Sequence, residues 1–170
     1  MPEASLSVLY AEHTGAVDRI FSLLRRREFP IAGVTIERTH QLGIGRMTVM
    51  VESASAINQI TQHLNRLVDV VSVGRESDDA IRREYALVRI KCTPGQRVEV
   101  LPILATFQAQ ALSVTANHMV LETSGTGDQI DTLVSALEPY GIDQLARTNP
   151  LVMGRQEAQP DSTFKGQGSK

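Results

Sequence analysis

The sequence is poor in the residues from which proteins build disulfides, cysteine-rich metal centres and stacking surfaces. Of its 170 residues one is cysteine, none is tryptophan, and only 4% are aromatic. The lone Cys92 excludes an internal disulfide and favours a protein of the reducing cytoplasm. With so few rings, the core must be aliphatic, and there is little on which bases or sugars could stack.

Strong charge and long apolar runs are also missing. The net charge is −2 and the pI about 6.1, so the basic excess that attracts nucleic acid or anionic membranes is absent. No apolar run approaches the roughly 20 residues that span a bilayer. Residues 1–5 lack the basic and apolar regions of a signal peptide. We expect no nucleic-acid partner, no membrane association and no secretion.

Hydrophobic periodicity predicts six elements in the first half of the chain. Alternating apolar residues predict strands near 6–10, 34–36, 47–51 and 68–73. Apolar residues at helical spacing predict helices over 16–24 and 57–67. Thr14 and either Ser53 or Ser55 are the predicted N-caps of these helices. The resulting order is β-α-β-β-α-β.

The same order recurs in the second half. An offset of 80 residues carries Val8, Gly15 and Val34 onto Val88, Gly95 and Val114. An offset of 73 carries Ile57, Ile60 and Leu64 onto Ile130, Leu133 and Leu137. Pro102 interrupts the second-half helix and predicts a late start or a kink. The repeat predicts an α+β fold of two tandem ferredoxin-like (βαββαβ) domains.

Composition divides the chain into four segments. We predict a first domain over 1–76, a polar linker over 77–83, a second domain over 84–155 and a disordered tail over 156–170. A domain of about 75 residues has a marginal core, and its sheet edges need covering. We therefore expect the protein to assemble with a partner.

No constellation of catalytic or metal-ligating residues is present in the sequence. The four histidines are isolated, and Cys92 lacks a CxxC partner. The two Gly-x-Gly pairs, at 43–45 and 125–127, lack the third glycine of a dinucleotide loop. The strand at 46–51 lacks the aromatic residues with which RNA-recognition motifs stack bases. We predict neither an active site nor a resident cofactor or metal in this chain.

One loop is chemically suggestive. Glu12-His13-Thr14-Gly15 directly precedes a predicted helix, whose free backbone N–H groups and dipole favour a carboxylate. Gly15 would let a ligand approach the backbone closely. An ordinary capped turn explains the same residues, so this spacing alone leaves both interpretations open.

Five segments, in this order and spacing, resemble one known family. They are Leu6-Ser7-Val8-Leu9 with Gly15-Ala16 and Arg19; Arg46-Met47-Thr48; Leu67-Val68-Asp69-Val70; Arg83-Glu84-Tyr85-Ala86-Leu87-Val88; and Ile130-Asp131 with Pro139-Tyr140-Gly141-Ile142 and Ala146-Arg147-Thr148. Together they resemble the small, regulatory subunit of acetohydroxyacid synthase (acetolactate synthase).

The resemblance implies that the first domain is an ACT domain and that the chain itself performs no catalysis. It implies a homodimer through the ACT domains and a catalytic large subunit carrying thiamine diphosphate, Mg²⁺ and FAD. It also implies feedback control of branched-chain amino-acid synthesis by an amino acid, typically valine, bound between two ACT domains. The implied effector residues are Glu12, His13, Thr14, Gly15, Ala16, Pro30 and Ile31.

The sequence departs from the family at three of the relevant positions. The family usually has Asn where this chain has Glu12 and Pro30, and Gly where it has Glu28. Asn can donate and accept hydrogen bonds, whereas Pro30 has no polar side-chain group and no N–H. Losing one charge-assisted hydrogen bond costs roughly 1.5–3 kcal/mol, or about 10- to 150-fold in affinity. The resemblance with these departures implies a valine response that is weakened, lost or redirected to another effector.

Two other classes of function stay open from the sequence. One is a stand-alone ACT-type amino-acid sensor that regulates a different partner protein. The other is a small enzyme on a ferredoxin-like fold, which the absence of an active site disfavours.

Overall fold

Each half of the chain folds into an antiparallel sheet that packs two helices against one face. The computed structural model describes residues 4–155. It divides into two compact units, of which the second comprises residues 82–151 and the first the described residues on either side of it. The tandem ferredoxin-like fold predicted from the repeat is confirmed. The predicted tail 156–170 lies outside the described residues.

The first unit has the predicted order of elements. They are β1 (Ala4–Ala11), α1 (Ala16–Arg26), β2 (Ile31–Arg38), β3 (Ile44–Val51), α2 (Ile57–Leu64) and β4 (Val70–Arg75), with a 3₁₀ turn at Ala54–Ala56. The strands pair in the order β2-β3-β1-β4, and all three pairings are antiparallel. β1 therefore lies in the centre of the sheet, and β2 and β4 lie at its edges.

The core of the first unit forms where alternating strand residues meet the apolar stripes of the helices. Leu6 and Val8 of β1 are fully buried opposite Val49 and Met47 of β3. Three residues of α1 at i, i+4 and i+8 cover them, namely Ala16, Ile20 and Leu24. At roughly 25 cal/mol per Å² of apolar surface, burying a large aliphatic side chain of this kind stabilises the fold by about 1.5–3 kcal/mol.

The second unit repeats the first. Its elements are β5 (Ile81–Lys91), α3 (Arg97–Thr106), β6 (Gln110–Val114), β7 (His118–Gly125), α4 (Gly127–Leu137), a 3₁₀ turn (Glu138–Tyr140) and β8 (Ile142–Arg147). Strand β9 (Leu151–Met153) follows where the chain returns to the first unit. The strands of the second unit follow the order β6-β7-β5-β8. The offset of 73 residues is confirmed in the cores, because the residues it relates are buried on α2 and on α4.

The predicted N-caps of the first unit are wrong. Helix α1 is capped by Gly15, which has φ 90° and whose carbonyl accepts the Arg19 N–H at 3.0 Å, and no side chain caps the helix. Helix α2 begins after a 3₁₀ turn, and the hydroxyls of Ser53 and Ser55 hydrogen-bond to each other instead. Before α1, the glycine of the turn occupies the capping position that propensity alone would assign to Thr14. Before α2, the two serine hydroxyls bond each other and so cap no helix N–H.

Three element boundaries also differ from expectation. Helix α3 continues from Arg97 through Pro102, so the predicted late start does not occur. Pro102 has no N–H, so the helix loses only the hydrogen bond to the carbonyl of Val98. Val98 is an exposed residue. Val68, predicted in a strand, is 93% exposed in the turn before β4. Strand β5 begins at Ile81, so residues 81–83 of the predicted linker are extended.

Candidate functional site

The loop between β1 and α1, residues 12–15, is held at one end of the first sheet by two neighbouring turns. The Ala11 N–H donates to the Asp69 carbonyl at 2.8 Å, and the Glu12 N–H donates to the Gly43 carbonyl at 2.7 Å. These bonds fix the backbone at the point where the chain leaves the sheet. The side chains of Glu12, His13 and Thr14 are exposed, so the loop presents them to solvent.

Ala16, the last residue of this predicted segment, faces inward. Its side chain is fully buried in the core, and its N–H donates to the His13 carbonyl at 3.2 Å. Ala16 therefore packs beneath the loop, while the exposed part of the candidate site consists of residues 12–14, with Gly15 half-buried.

A buried carboxylate lies directly behind the loop. Asp69 is 3% exposed and accepts hydrogen bonds from Nε and Nη2 of Arg19, the latter at 3.0 Å. Its Oδ1 is also 2.8 Å from Nε2 of His13. One side chain from the turn before β4 thus joins the β1–α1 loop and the first turns of α1.

The charges in this cluster stabilise each other. The hydrogen bond from Arg19 is the main cause that lowers the pKa of Asp69, burial opposes it, and the hydrogen bond from His13 adds to it. The same carboxylate raises the pKa of Arg19, with Asp18 contributing through its charge. Asp69 is therefore ionised wherever the protein is folded near neutral pH.

Pro30 and Ile31 lie at the opposite end of the same sheet. Ile31 pairs with Val51 of β3, and Val51 pairs with Ala4 at the start of β1. The β1–α1 loop follows the other end of β1, seven residues further along, or about 23 Å away at the usual rise of a strand. The structure therefore brings residues 12–16 together but does not bring Pro30 and Ile31 to them within one chain.

An open apolar cavity adjoins Ile31. It has a volume of about 390 Å³ and is lined by Phe21, Leu24, Arg25, Glu28, Phe29, Ile31 and Val34. Glu28 adopts a left-handed conformation with φ 51° at the end of α1. Glycine is the residue best suited to that conformation, which gives a physical reason for the glycine that the family resemblance places there.

Arg19 and Asp69 are the residues that sequence reasoning missed as parts of this site. Both stand in segments that carried the resemblance, yet neither was assigned a role. A signal was available for Asp69, because a carboxylate within the run 67–71 of apolar residues must either be exposed or find a partner. Its partners are 50 and 56 residues away in sequence, and only the fold shows them.

The corresponding loop of the second unit has different side chains on a similar backbone. The Cys92 N–H donates to the Asn117 carbonyl at 2.8 Å, and the Lys91 N–H donates to the Gly141 carbonyl at 2.9 Å. The Cys92 thiol is buried. Next to it is an open cavity of about 290 Å³, lined by Lys91, Cys92, Thr93, Gln96, Asn117, His118 and Tyr140.

Residues 4–155 lack two kinds of functional feature. Over that range no three His, Cys, Asp or Glu side chains are grouped closely enough to hold a metal ion. Among the helices of the same residues, none has the length and apolar character needed to cross a membrane.

The fold and the β1–α1 loop define a protein of two tandem ferredoxin-like units, the first of which is an ACT domain. Residues 6–72 match the model of the AHAS small subunit-like ACT domain, and residues 83–156 match that of the small subunit of acetolactate synthase. The chain belongs to the acetolactate synthase small subunit family.

Relatives from several organisms match over nearly the whole chain. The acetolactate synthase small subunit of Mycolicibacterium smegmatis is 32% identical, over 91% of this chain and 92% of its own length. That of Bacillus subtilis is 30% identical, over 94% and 95%. The crystal structure of the acetolactate synthase small subunit from Thermotoga maritima superimposes with a TM-score of 0.83 at 23% identity, covering 91% of this chain and 98% of that one. The last comparison supports the fold.

Proposed function

We propose that this chain binds and activates the catalytic large subunit of acetolactate synthase and carries an amino-acid effector site between the ACT domains of two copies. The family membership supports the first part. The observation that carries the second is the separation of Pro30–Ile31 from residues 12–15 by the length of the sheet. A site made of both segments needs two chains.

A two-fold symmetric pair of ACT domains meets this requirement. Strand β2 lies at the edge of the sheet, and its first residue, Ile31, adjoins the apolar cavity. If two β2 edges lie antiparallel, the start of one β2 comes level with the end of the other. The β1–α1 loop of one copy then faces Pro30 of its partner, and each dimer has two equivalent sites.

The catalytic chemistry in this proposal belongs to the large subunit. Thiamine diphosphate, Mg²⁺ and FAD would be bound there, and this chain would act by contact. The lone buried thiol, Cys92, is compatible with work in the reducing cytoplasm.

The residues at the site support a valine response that is weakened or altered. Glu12 is exposed on the loop, where its carboxylate would repel that of an amino acid while attracting the ammonium. Pro30 offers only its carbonyl, which already accepts the Glu52 N–H at 2.9 Å. One missing charge-assisted hydrogen bond corresponds to about a 10- to 150-fold loss of affinity.

The test is reconstitution with the large subunit. Acetolactate formation is measured with and without this chain, and then with increasing valine, leucine or isoleucine. We expect the chain to raise the rate of acetolactate formation. Valine below about 1 mM should inhibit only weakly, because the lost hydrogen bond lowers its affinity for the site. The double variant Glu12→Asn, Pro30→Asn should strengthen valine inhibition. The control is Glu76→Asn, which follows β4 at the opposite edge of the sheet from β2.

Each part of the proposal has its own contradicting result. Strong inhibition of the unmodified complex by sub-millimolar valine would refute the weakened response alone. No increase in rate would refute the regulatory role, and co-purification of a different partner would then favour a stand-alone ACT-type sensor.

A further inference from the structure

The guanidinium of Arg19 has one edge on Asp69 and another beside the β1–α1 loop. Its Nε and Nη2 donate to the two carboxylate oxygens of Asp69. Its Nη1 lies 3.3 Å from the position that a Cβ on Gly15 would occupy. No hydrogen bond from Nη1 is found within residues 4–155. The nitrogen that Asp69 leaves unused is thus the one next to the loop.

The position of this cation is unusual for a helix. Arg19 stands in the first turns of α1, where the helix dipole disfavours positive charge. Long side chains in a helix point back toward its N-terminus, which brings the guanidinium to the end where free N–H groups are concentrated. Asp69 occupies Nε and Nη2, so the N–H groups of Nη1 remain available to donate to an anion beside Gly15, close to the helix end.

Gly15 keeps the space beside Nη1 open. A methyl group there would come within 3.3 Å of the nitrogen, and φ 90° is a conformation that residues other than glycine rarely adopt. The loop therefore has a glycine beside Nη1, where a side chain would crowd this nitrogen.

We propose that Arg19 binds the carboxylate of the amino-acid effector and that Asp69 is the positioning residue that orients its guanidinium. This deepens the proposed function, since it rests on an effector site at the β1–α1 loop. It restricts the ligand to compounds with a free carboxylate. His13 shares Asp69 and holds the loop against the same anchor.

The experiment measures binding to the full chain by NMR titration, with L-valine, L-leucine and L-isoleucine as probes and their amides, which lack the carboxylate, for comparison. In Arg19→Gln, affinity for the strongest-binding amino acid should fall by about 10- to 150-fold, as expected for one charge-assisted hydrogen bond. Affinity for its amide should not change. Arg19→Lys, which keeps the charge but not the fork, should lose most of the same affinity.

Two controls separate ligand binding from structure. Arg26→Gln makes the same charge change in the last turn of the same helix and should bind like the unmodified chain. Asp69→Asn should reduce acid-over-amide selectivity although residue 19 is intact. Hydrogen exchange of β1 and β4 in each variant shows whether the unit stays folded. If Arg19→Gln does not stay folded, Arg19→Lys replaces it in the binding test.

The outcomes distinguish this inference from the function beneath it. Unchanged affinity in a folded Arg19→Gln, or equal binding of acid and amide by the unmodified chain, would overturn the role of Arg19 and leave the effector site standing. If the unmodified chain binds none of the three amino acids, the effector site itself is wrong. Activation of the large subunit tests the regulatory role separately.

Discussion

Two helices of this protein end at a left-handed residue that is not glycine, and we predict that glycine at either position stabilises its unit. Glu28 follows α1 with φ 51°, and Gln108 follows α3 with φ 53°. The two positions are 80 residues apart, so the repeat places them at equivalent ends. Both are the C′ position, which glycine occupies in many helices.

The magnitude follows from two opposing terms. A residue with a Cβ in the left-handed region costs about 1–2 kcal/mol, whereas glycine loses about 0.5–1 kcal/mol more entropy on folding. The side chains of Glu28 and Gln108 are exposed, so little packing is lost. Their N–H groups, which donate to Arg25 and Ala105 at 3.1 and 3.3 Å, are kept. We therefore expect each substitution to stabilise its unit by about 0.5–1 kcal/mol.

The assay must resolve the two units, because a chain of two units need not unfold in one step. Hydrogen exchange of the full chain in increasing urea, read peptide by peptide, gives a free energy of opening for each. Glu28→Gly should raise the value for β1 and β3 only, and Gln108→Gly the value for β5 and β7 only. Arg27→Gly is the matched control, since its φ of −97° suits any residue and glycine there should destabilise by about 0.5–1 kcal/mol. The reasoning is refuted if glycine destabilises position 28 as much as position 27.

Three further predictions concern the site and the second unit. The lowered pKa of Asp69 means that its charge stabilises the fold above the unfolded value near 3.8, and that this contribution is lost as the pH falls from there through the lower folded value. The difference in urea midpoint between Asp69→Asn and the unmodified chain at pH 7 should shrink as the pH falls below 3.8, and a constant difference would contradict this. Gly15→Ala should destabilise the first unit by about 1–2 kcal/mol, because Gly15 has a φ of 90°. Gly95→Ala, at the equivalent position with open space around it, should have little effect. Equal effects of the two substitutions in a thermal melt would disprove the distinction. Thr126→Ala removes the N-cap of α4, because the Thr126 hydroxyl accepts the Gln129 N–H at 3.3 Å. The free energy of unfolding in urea should fall by about 0.5–2 kcal/mol. An unchanged midpoint would show that the capping box contributes nothing.

The elements of both units could be predicted from the sequence because their apolar periods are regular. The spacing Ile57, Ile60 and Leu64 marks one face of a helix, and the structure buries all three. Strand β8 begins at Ile142, directly after Gly141, whose φ of 77° ends the preceding turn. In these places local pattern and tertiary packing favour the same structure.

The capping residues and the anchor of the site could not be predicted in this way. Thr14 has the propensity of an N-cap, but the loop is held by long-range bonds to Asp69 and Gly43, and these set Gly15 in its place. Asp69 itself is explained only by Arg19 and His13, because the pairing of β4 with β1 places the turn before β4 next to the β1–α1 loop. Periodicity carries no information about such partners, because it describes which face a residue lies on and not what stands opposite.

In both halves a side-chain contact joins the first helix of the unit to the turn before β4 or β8, but the chemistry of the contact differs. In the first unit Arg19 binds Asp69, and in the second unit Glu99, 80 residues after Arg19, hydrogen-bonds to Tyr140. Burial, and then the charge and hydrogen bond of Glu99, raise the pKa of Tyr140, so this tie is made by a neutral phenol.

The two similar loops therefore present different charges. At the β1–α1 loop the guanidinium of Arg19 lies beside the helix N-terminus, and the carboxylate of Glu12 is exposed on the same loop. At the loop after β5 the equivalent helix position carries the acidic Glu99, whereas Lys91 lines the adjoining cavity. If the proposed effector site is correct, a carboxylate is favoured by the charge at position 19 of the first unit and opposed by the charge at position 99 of the second, since like charges repel. The repeat thus keeps a similar backbone at both loops, while the charges of the side chains beside them are reversed at the equivalent helix position.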